Sequence, residues 1–308
     1  MDMVRMQIQI LVFLIIGWIF GKKGWISRSS ANQVNFLVMN LILPCSIFHA
    51  FCTPLTPEIL HSAFSILVLA CILQGIFWLI SKFLWKKVED HSERINLEYG
   101  TVSNNAGTLG MVIGQAAFGS EGVLYTSVYA IPLRIIMWSY GLTLYSRSKS
   151  LKGIALLKKV ITNPCMIAIE AGVLVMIGSN YGFALPGLLD SIISSLAACN
   201  TPLIMIVIGV ILSDLPIHSL MSKKNVWYCL IRLGLLPLLC LIGLSIFGIG
   251  GMPLKICVLE TAMPAPVTMV MLSQRYRQNE SFASQLVFLT TLLSMITLPL
   301  WTVLLNLI

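Results

Sequence analysis

Charge is what this chain has least of. Only 10% of its 308 residues are Asp, Glu, Lys or Arg, against about a quarter in soluble globular domains. With 57% hydrophobic residues and a mean hydropathy of +0.89, a water-soluble fold is excluded, because 308 residues cannot bury that much apolar surface. Repeated apolar runs of about 20 residues match the hydrocarbon thickness of a bilayer instead. Paired cysteines are also missing. Cys45, Cys52, Cys71, Cys165, Cys199, Cys229, Cys240 and Cys257 lie singly in or beside apolar runs and read as buried apolar filler rather than disulfide or zinc sites. His49, His61, His91 and His218 are scattered near run ends. No nucleophile–His–acid grouping, P-loop, metal-ligand spacing or dinucleotide loop occurs, so no metal, cofactor or enzyme chemistry is expected. The net charge of +8 does not point to nucleic acid, since the cations sit in short loops and form no basic stripe interleaved with aromatics.

What is present is a series of apolar runs at 6–20, 33–52, 62–85, 95–118, 122–145, 154–177, 188–212, 226–248, 253–274 and 282–307. They predict an all-α membrane protein of ten spans. The first run has its charges behind it, at Lys22 and Lys23, and no small-residue cleavage site, so it is expected to be a retained span rather than a signal peptide. Sixteen of the twenty cations fall in loops after odd-numbered spans, among them Arg28, Lys86, Lys87, Arg147, Lys149, Lys152, Lys158, Lys159 and Lys224; only Arg5 and Lys255 fall on the other side. The positive-inside rule then predicts a multi-pass protein of the cell membrane with both termini outside the cytoplasm. Arg134 and Arg232 complete the count, inside spans.

The two halves echo each other. Pro44 is expected to interrupt the second span and Pro202 the seventh, 158 residues apart; Asn105 in the fourth and Pro264 in the ninth are 159 apart. A five-span unit used twice, 1–150 and 151–308, enters the membrane the second time from the opposite side, because five is odd. That is the inverted-repeat plan of many secondary transporters.

Two segments are chemically suited to a site. Ser103-Asn104-Asn105-Ala106-Gly107-Thr108-Leu109-Gly110 places amides and glycines in a stretch that must cross lipid. Such backbone is tolerated where it is buried in protein or lines a watery path. A small-residue helix contact through Gly107, Gly110 and Gly114 is the bland reading. In Glu260-Thr261-Ala262-Met263-Pro264-Ala265-Pro266, two prolines remove two backbone donors and force an unwound stretch. Half-helix ends there present N–H groups to a carboxylate or phosphate. Asn104, Asn105, Gly107, Met263, Pro264, Ala265 and Pro266 are therefore the candidate substrate contacts. Arg134 is a candidate for the anion, or a salt-bridge partner within the bundle. Glu260 is a candidate for proton or sodium coupling, against an interfacial or paired carboxylate. Glu170 is a similar intramembrane acid. Arg232 is expected to snorkel to the cytoplasmic face. Thr290, Ser294 and Thr297 share one helix face and read as interhelical hydrogen bonding.

These residues resemble a known family. Asn105-Ala-Gly107-Thr-Leu-Gly110, Phe118-Gly119-Ser-Glu121-Gly122 and Tyr129-Ala-Ile-Pro132 are similar to the first-half signature of the auxin efflux carrier family, which includes bacterial malate and malonate permeases and plant PIN carriers. Asn163-Pro164, Asn200-Thr-Pro202, Glu260-Thr-Ala-Met263-Pro264 and Thr297-Leu-Pro299 continue the match in family order. The resemblance implies crossing broken fourth and ninth helices, an elevator-like motion against an often dimeric scaffold, and carboxylate substrates. The chain departs from the family at Met111-Val112, where a proline is frequent, and in the third span, whose polar side chains are Cys71 and Gln74. Carriage of a small mono- or dicarboxylate is the expectation; a carboxylate sensor without translocation and a membrane-embedded enzyme around Glu89, Asp90, His91 and Glu93 are the rivals.

Overall fold

The computed structural model describes residues 2–52, 55–146, 162, 164–213 and 222–308. Asn163, His218 and the cations Arg147, Lys149, Lys152, Lys158 and Lys159 lie outside the described residues. Among the described residues the fold is helical, without a strand. In chain order the α-helices are α1 (Asp2–Lys22), α2 (Arg28–Leu37), α3 (Leu43–Phe51), α4 (Pro57–Leu84), α5 (His91–Val102), α6 (Leu109–Ile136), α7 (Leu142–Ser146), α8 (Pro164–Ser179), α9 (Gly187–Ala198), α10 (Asn200–Ser213), α11 (Lys223–Leu230), α12 (Leu236–Ile246), α13 (Gly251–Thr261), α14 (Thr268–Arg275) and α15 (Glu280–Leu307).

Polar caps start the helices that follow the cation-rich loops. Ser27 accepts from the Ser30 N–H at 3.1 Å, Asp90 from Ser92 at 2.8 Å and Glu93 at 3.0 Å, Ser222 from Asn225 at 3.1 Å, and Asn279 from Phe282 at 3.0 Å. Each satisfies a first-turn donor that has no helical acceptor.

Five helical stretches are long and apolar enough to cross a membrane: Arg28–Phe51, Pro57–Leu84, Gly187–Ile211, Lys223–Ile246 and Glu280–Leu307. They present large apolar side chains outward, such as Phe83 at 80% exposed and Ile296 at 66%, which suits a lipid solvent and not water.

Pro44 does not break its span. The helix continues through a π-helical segment, Val38–Ile42, that joins α2 to α3. A π turn carries an extra residue, and this widening lets the chain absorb the missing proline donor and its ring. The segment Ile231–Leu235 precedes Pro237 in the same way. Pro202 sits in the first turn of α10, after a turn at Cys199, where no N–H is needed. None of the eight cysteines is assigned to a disulfide, but only Cys165, Cys229, Cys240 and Cys257 are buried; Cys71 and Cys199 are exposed. On an outward face a small thiol meets lipid at little cost, so an apolar run does not imply burial in protein.

The chain forms two compact units, and each draws on both halves of the sequence. Unit 1 comprises Met1–His61, Met111–Ser127 and Ile161–Pro216. In it α1 and α10 pack backbone against backbone, with Gly17 on the Ile206 carbonyl and Gly209 on the Leu14 carbonyl, as small residues allow in a membrane interior. Within α6 the chain turns back at Gly119, whose φ of 67° favours glycine. Gly114 then faces the Gly122 carbonyl at a distance that a Cβ would fill. Unit 2 comprises Ser62–Gly110, Val128–Val160 and Ile217–Ile308 and contains all the candidate site residues.

Candidate functional site

Both expected breaks occur, and they are bonded to each other. The first separates α5 from α6. Ser103 and Asn104 are extended, and Asn105–Gly107 form one 3₁₀ turn. The second separates α13 from α14, with Met263, Pro264, Ala265 and Pro266 non-helical and buried. The Asn105 N–H donates to the Pro264 carbonyl at 2.9 Å. The Asn104 amide donates to the Glu260 carbonyl at 2.6 Å and accepts from the Ala106 N–H at 3.0 Å. Asn104 therefore ties the breaks together and has its oxygen and nitrogen engaged in the protein, whereas Asn105 bridges through its backbone and keeps a partly exposed side chain.

Four further backbone groups at the breaks are satisfied from neighbouring helices. The Ala265 N–H donates to the Thr290 hydroxyl at 3.1 Å, and that hydroxyl donates to the Leu286 carbonyl at 2.7 Å. Thr290 is thus the interhelical bond expected from its helix face, and its acceptor role serves the second break. Arg232 corrects the expectation that it snorkels. It is 1% exposed, and its guanidinium donates through Nε to the Met263 carbonyl at 3.0 Å, through Nη1 to Thr101 at 3.1 Å and through Nη2 to Thr261 at 2.9 Å. The Thr101 and Thr261 carbonyls lie at the C-terminal ends of α5 and α13 and the Met263 carbonyl in the unwound stretch that follows, all left without helical donors by the breaks. A cation there also complements both helix dipoles. The apolar stem that would permit snorkelling instead carries the charge inward, because three carbonyls offer more than the interface does.

Arg134 lies at the first break. It is 7% exposed; Nη2 donates to the Gly107 carbonyl at 3.4 Å, and Nη1 is buried with no partner. Gly107 lets the guanidinium lie against the 3₁₀ turn. Glu260 is wholly buried in the last turn of α13. Neither carboxyl oxygen has a hydrogen-bond partner. The carboxyl packs on Gly110 in the first turn of α6, in the space a Cβ would take. Leaving an ionised carboxylate unpaired in such a place is costly, so this group calls for a cation or a proton. Arg134 and Glu260 are thus separate groups brought to one four-residue stretch, Gly107 to Gly110, and not a salt bridge.

Glu170, the other acid expected inside a span, is exposed on α8. Glu98 was not singled out in the sequence. It is 6% exposed and takes Lys82 at 2.6 Å, Arg94 at 3.8 Å and the Tyr140 hydroxyl at 3.3 Å. Its place inside the 95–118 run was the available signal, and Lys82 neutralises it. Among the described residues, Arg134 and Arg232 are the only buried cations.

Residues 3–302 match the family model described as membrane transport protein. An uncharacterized transporter of Methanothermobacter thermautotrophicus is 26% identical over 302 residues, which is 97% of each chain. An uncharacterized transporter of Methanocaldococcus jannaschii is 22% identical over 306 residues, 95% of each. With nearly its whole length matched and helices fit to cross a bilayer, the chain belongs to this family of membrane transport proteins, the auxin efflux carrier family that its motifs resemble.

Proposed function

We propose that the protein is a secondary carrier of a small mono- or dicarboxylate across the cell membrane. The observation that carries this reading is Arg134, a buried cation whose Nη1 has no partner beside a broken helix. A buried guanidinium without a counter-ion is costly and is relieved by a bidentate carboxylate. Asn105, Gly107 and the stretch Met263, Pro264, Ala265 and Pro266 border the bound anion, Asn104 holds the two breaks in register, and Glu260 carries the coupling proton or sodium. The chain crosses the bilayer ten times as two inverted five-helix repeats, 1–150 and 151–308, with both termini outside. Unit 2 moves as one body in an elevator-type cycle while unit 1, dimeric in the family plan, stays as scaffold. Two units that each draw on both halves support this division.

The test is uptake of radiolabelled malate, malonate and indole-3-acetate into proteoliposomes, with and without imposed pH and sodium gradients. Accumulation of a carboxylate that Arg134→Gln abolishes supports the reading. Absence of flux for every acid, with binding retained, leaves a sensor; absence of binding as well defeats it.

A further inference from the structure

One corner of unit 1, far in sequence from the breaks, carries charge that the chain does not answer. α1 ends at Lys22 and Lys23 follows; Gly24, with a φ of 69°, then turns the chain back. The Trp25 and Ile26 N–H groups both donate to the Phe20 carbonyl, at 3.0 and 3.3 Å, which closes the helix end. This turn sets the Trp25 ring edge-on to Phe20, centroids 5.0 Å apart, and the Lys23 ammonium 4.6 Å from the Trp25 ring. Ile26 packs on the core of Ala31, Val207 and Val210, and Ser27 caps α2, whose first residue is Arg28. The corner is therefore held at both ends. Lys22, Lys23 and Arg28 are nonetheless exposed, as is Trp25 at 63%. Residues 3–57 contain no Asp or Glu, and none of these three cations forms an ion pair with a described residue. Unit 2 differs, since Lys82 and Arg94 meet Glu98 there and Lys224 meets Glu93.

We infer that this corner binds the headgroup of an anionic phospholipid, whatever solute the protein carries. Lys22, Lys23 and Arg28 meet the phosphate, and Trp25 lies at the headgroup level, where an indole finds an apolar body and a polar edge together. The corner closes a helix whose apolar side chains face outward, Ile16 and Ile19 among them, so it stands where hydrocarbon gives way to headgroups. Three like charges and an aromatic ring select this ligand over its rivals. A soluble anion would use the cations but gain nothing from the exposed indole. A zwitterionic lipid would use the indole but bring its own cation beside its phosphate. An anionic lipid uses both, and each Lys or Arg near such a surface attracts it.

The experiment measures binding to the full-length protein in detergent, by native mass spectrometry and thermal shift. The probes are dioctanoyl phosphatidylglycerol, dioctanoyl phosphatidylcholine and inorganic phosphate. Phosphatidylglycerol is expected to bind at least ~10-fold more tightly than phosphatidylcholine and to raise the melting temperature by mass action. Each of Lys22→Gln, Lys23→Gln and Arg28→Gln should weaken phosphatidylglycerol about fivefold, the equivalent of ~1 kcal/mol per cation, and the triple variant by roughly 100-fold. Trp25→Ala should weaken both lipids alike. The control joins Lys86→Gln to Lys87→Gln, at two exposed cations of unit 2, and should keep full affinity. All the substituted positions are exposed, and monodispersity with a cooperative melt checks that each variant folds. Equal affinity for the two lipids overturns the inference, as does a triple variant that binds phosphatidylglycerol like wild type. A control that loses as much as the triple variant overturns it too, by showing diffuse attraction to net charge. Inorganic phosphate that stabilises as well as phosphatidylglycerol at equal concentration overturns the lipid as the ligand and leaves a site for free anions.

Discussion

Replacing Arg232 by methionine removes a charge from the interior and leaves three carbonyls, of Thr101, Thr261 and Met263, without their donor. Methionine fills most of the space, so the effect is electrostatic rather than a cavity. Each hydrogen bond from a charged group contributes about 1.5–3 kcal/mol. Three such bonds do not add in full, because removing the arginine also removes the cost of keeping its charge out of water. A net loss of about 3–5 kcal/mol is expected, the range for breaking a buried charged contact from one side. Arg232→Lys keeps the charge but replaces a planar fork by a single ammonium, which cannot reach three carbonyls from one position. It should fall between the two. The assay is unfolding of the purified protein in detergent followed by tryptophan fluorescence, with Glu170→Gln, a change at an exposed position, as control. The expected order is wild type, Arg232→Lys, then Arg232→Met, with the control matching wild type. Arg232→Met unfolding together with wild type, and binding substrate normally, would refute the clamp.

Other substitutions test separate parts of the structure. Thr290→Val deprives the Ala265 N–H of its acceptor and should cost ~1–3 kcal/mol in the same unfolding assay, with Thr290→Ser restoring most of it. Gly110→Ala puts a methyl where the Glu260 carboxyl lies, so the pH or sodium dependence of uptake should change more than the melting point does; Glu260→Gln should flatten that dependence, and unchanged coupling in both would make Glu260 structural. Gly17→Ala drives a Cβ onto the Ile206 carbonyl and should destabilise by about 1–3 kcal/mol, whereas Gly243→Ala, with open space around it, should be neutral or stabilising. A reporter active only in the cytoplasm, fused to the C-terminus, should stay silent; activity there would reverse the orientation drawn from the cations.

The parts of the site that were legible in the sequence are those set by backbone chemistry. Two prolines two residues apart, and adjacent asparagines before a glycine, cannot continue a helix in lipid, so both breaks fall where the residues require them. Their 159-residue offset also pointed to one site, and the bond from Asn105 to Pro264 agrees. Pro44 misled because a proline has two outcomes in a long helix, a break or a π turn, and flanking apolar residues do not choose between them. Arg232 misled for a different reason. An arginine six residues from the start of an apolar run is compatible with snorkelling or with burial, and the choice depends on carbonyls 131 and 29 residues away in sequence, which only the fold brings together. Those carbonyls exist as acceptors because the breaks free them. Breaking two helices at one place in a membrane creates unpaired acceptors and calls for a buried donor, so a lone arginine inside a span of a chain with two predicted breaks is better assigned first to the breaks than to the interface.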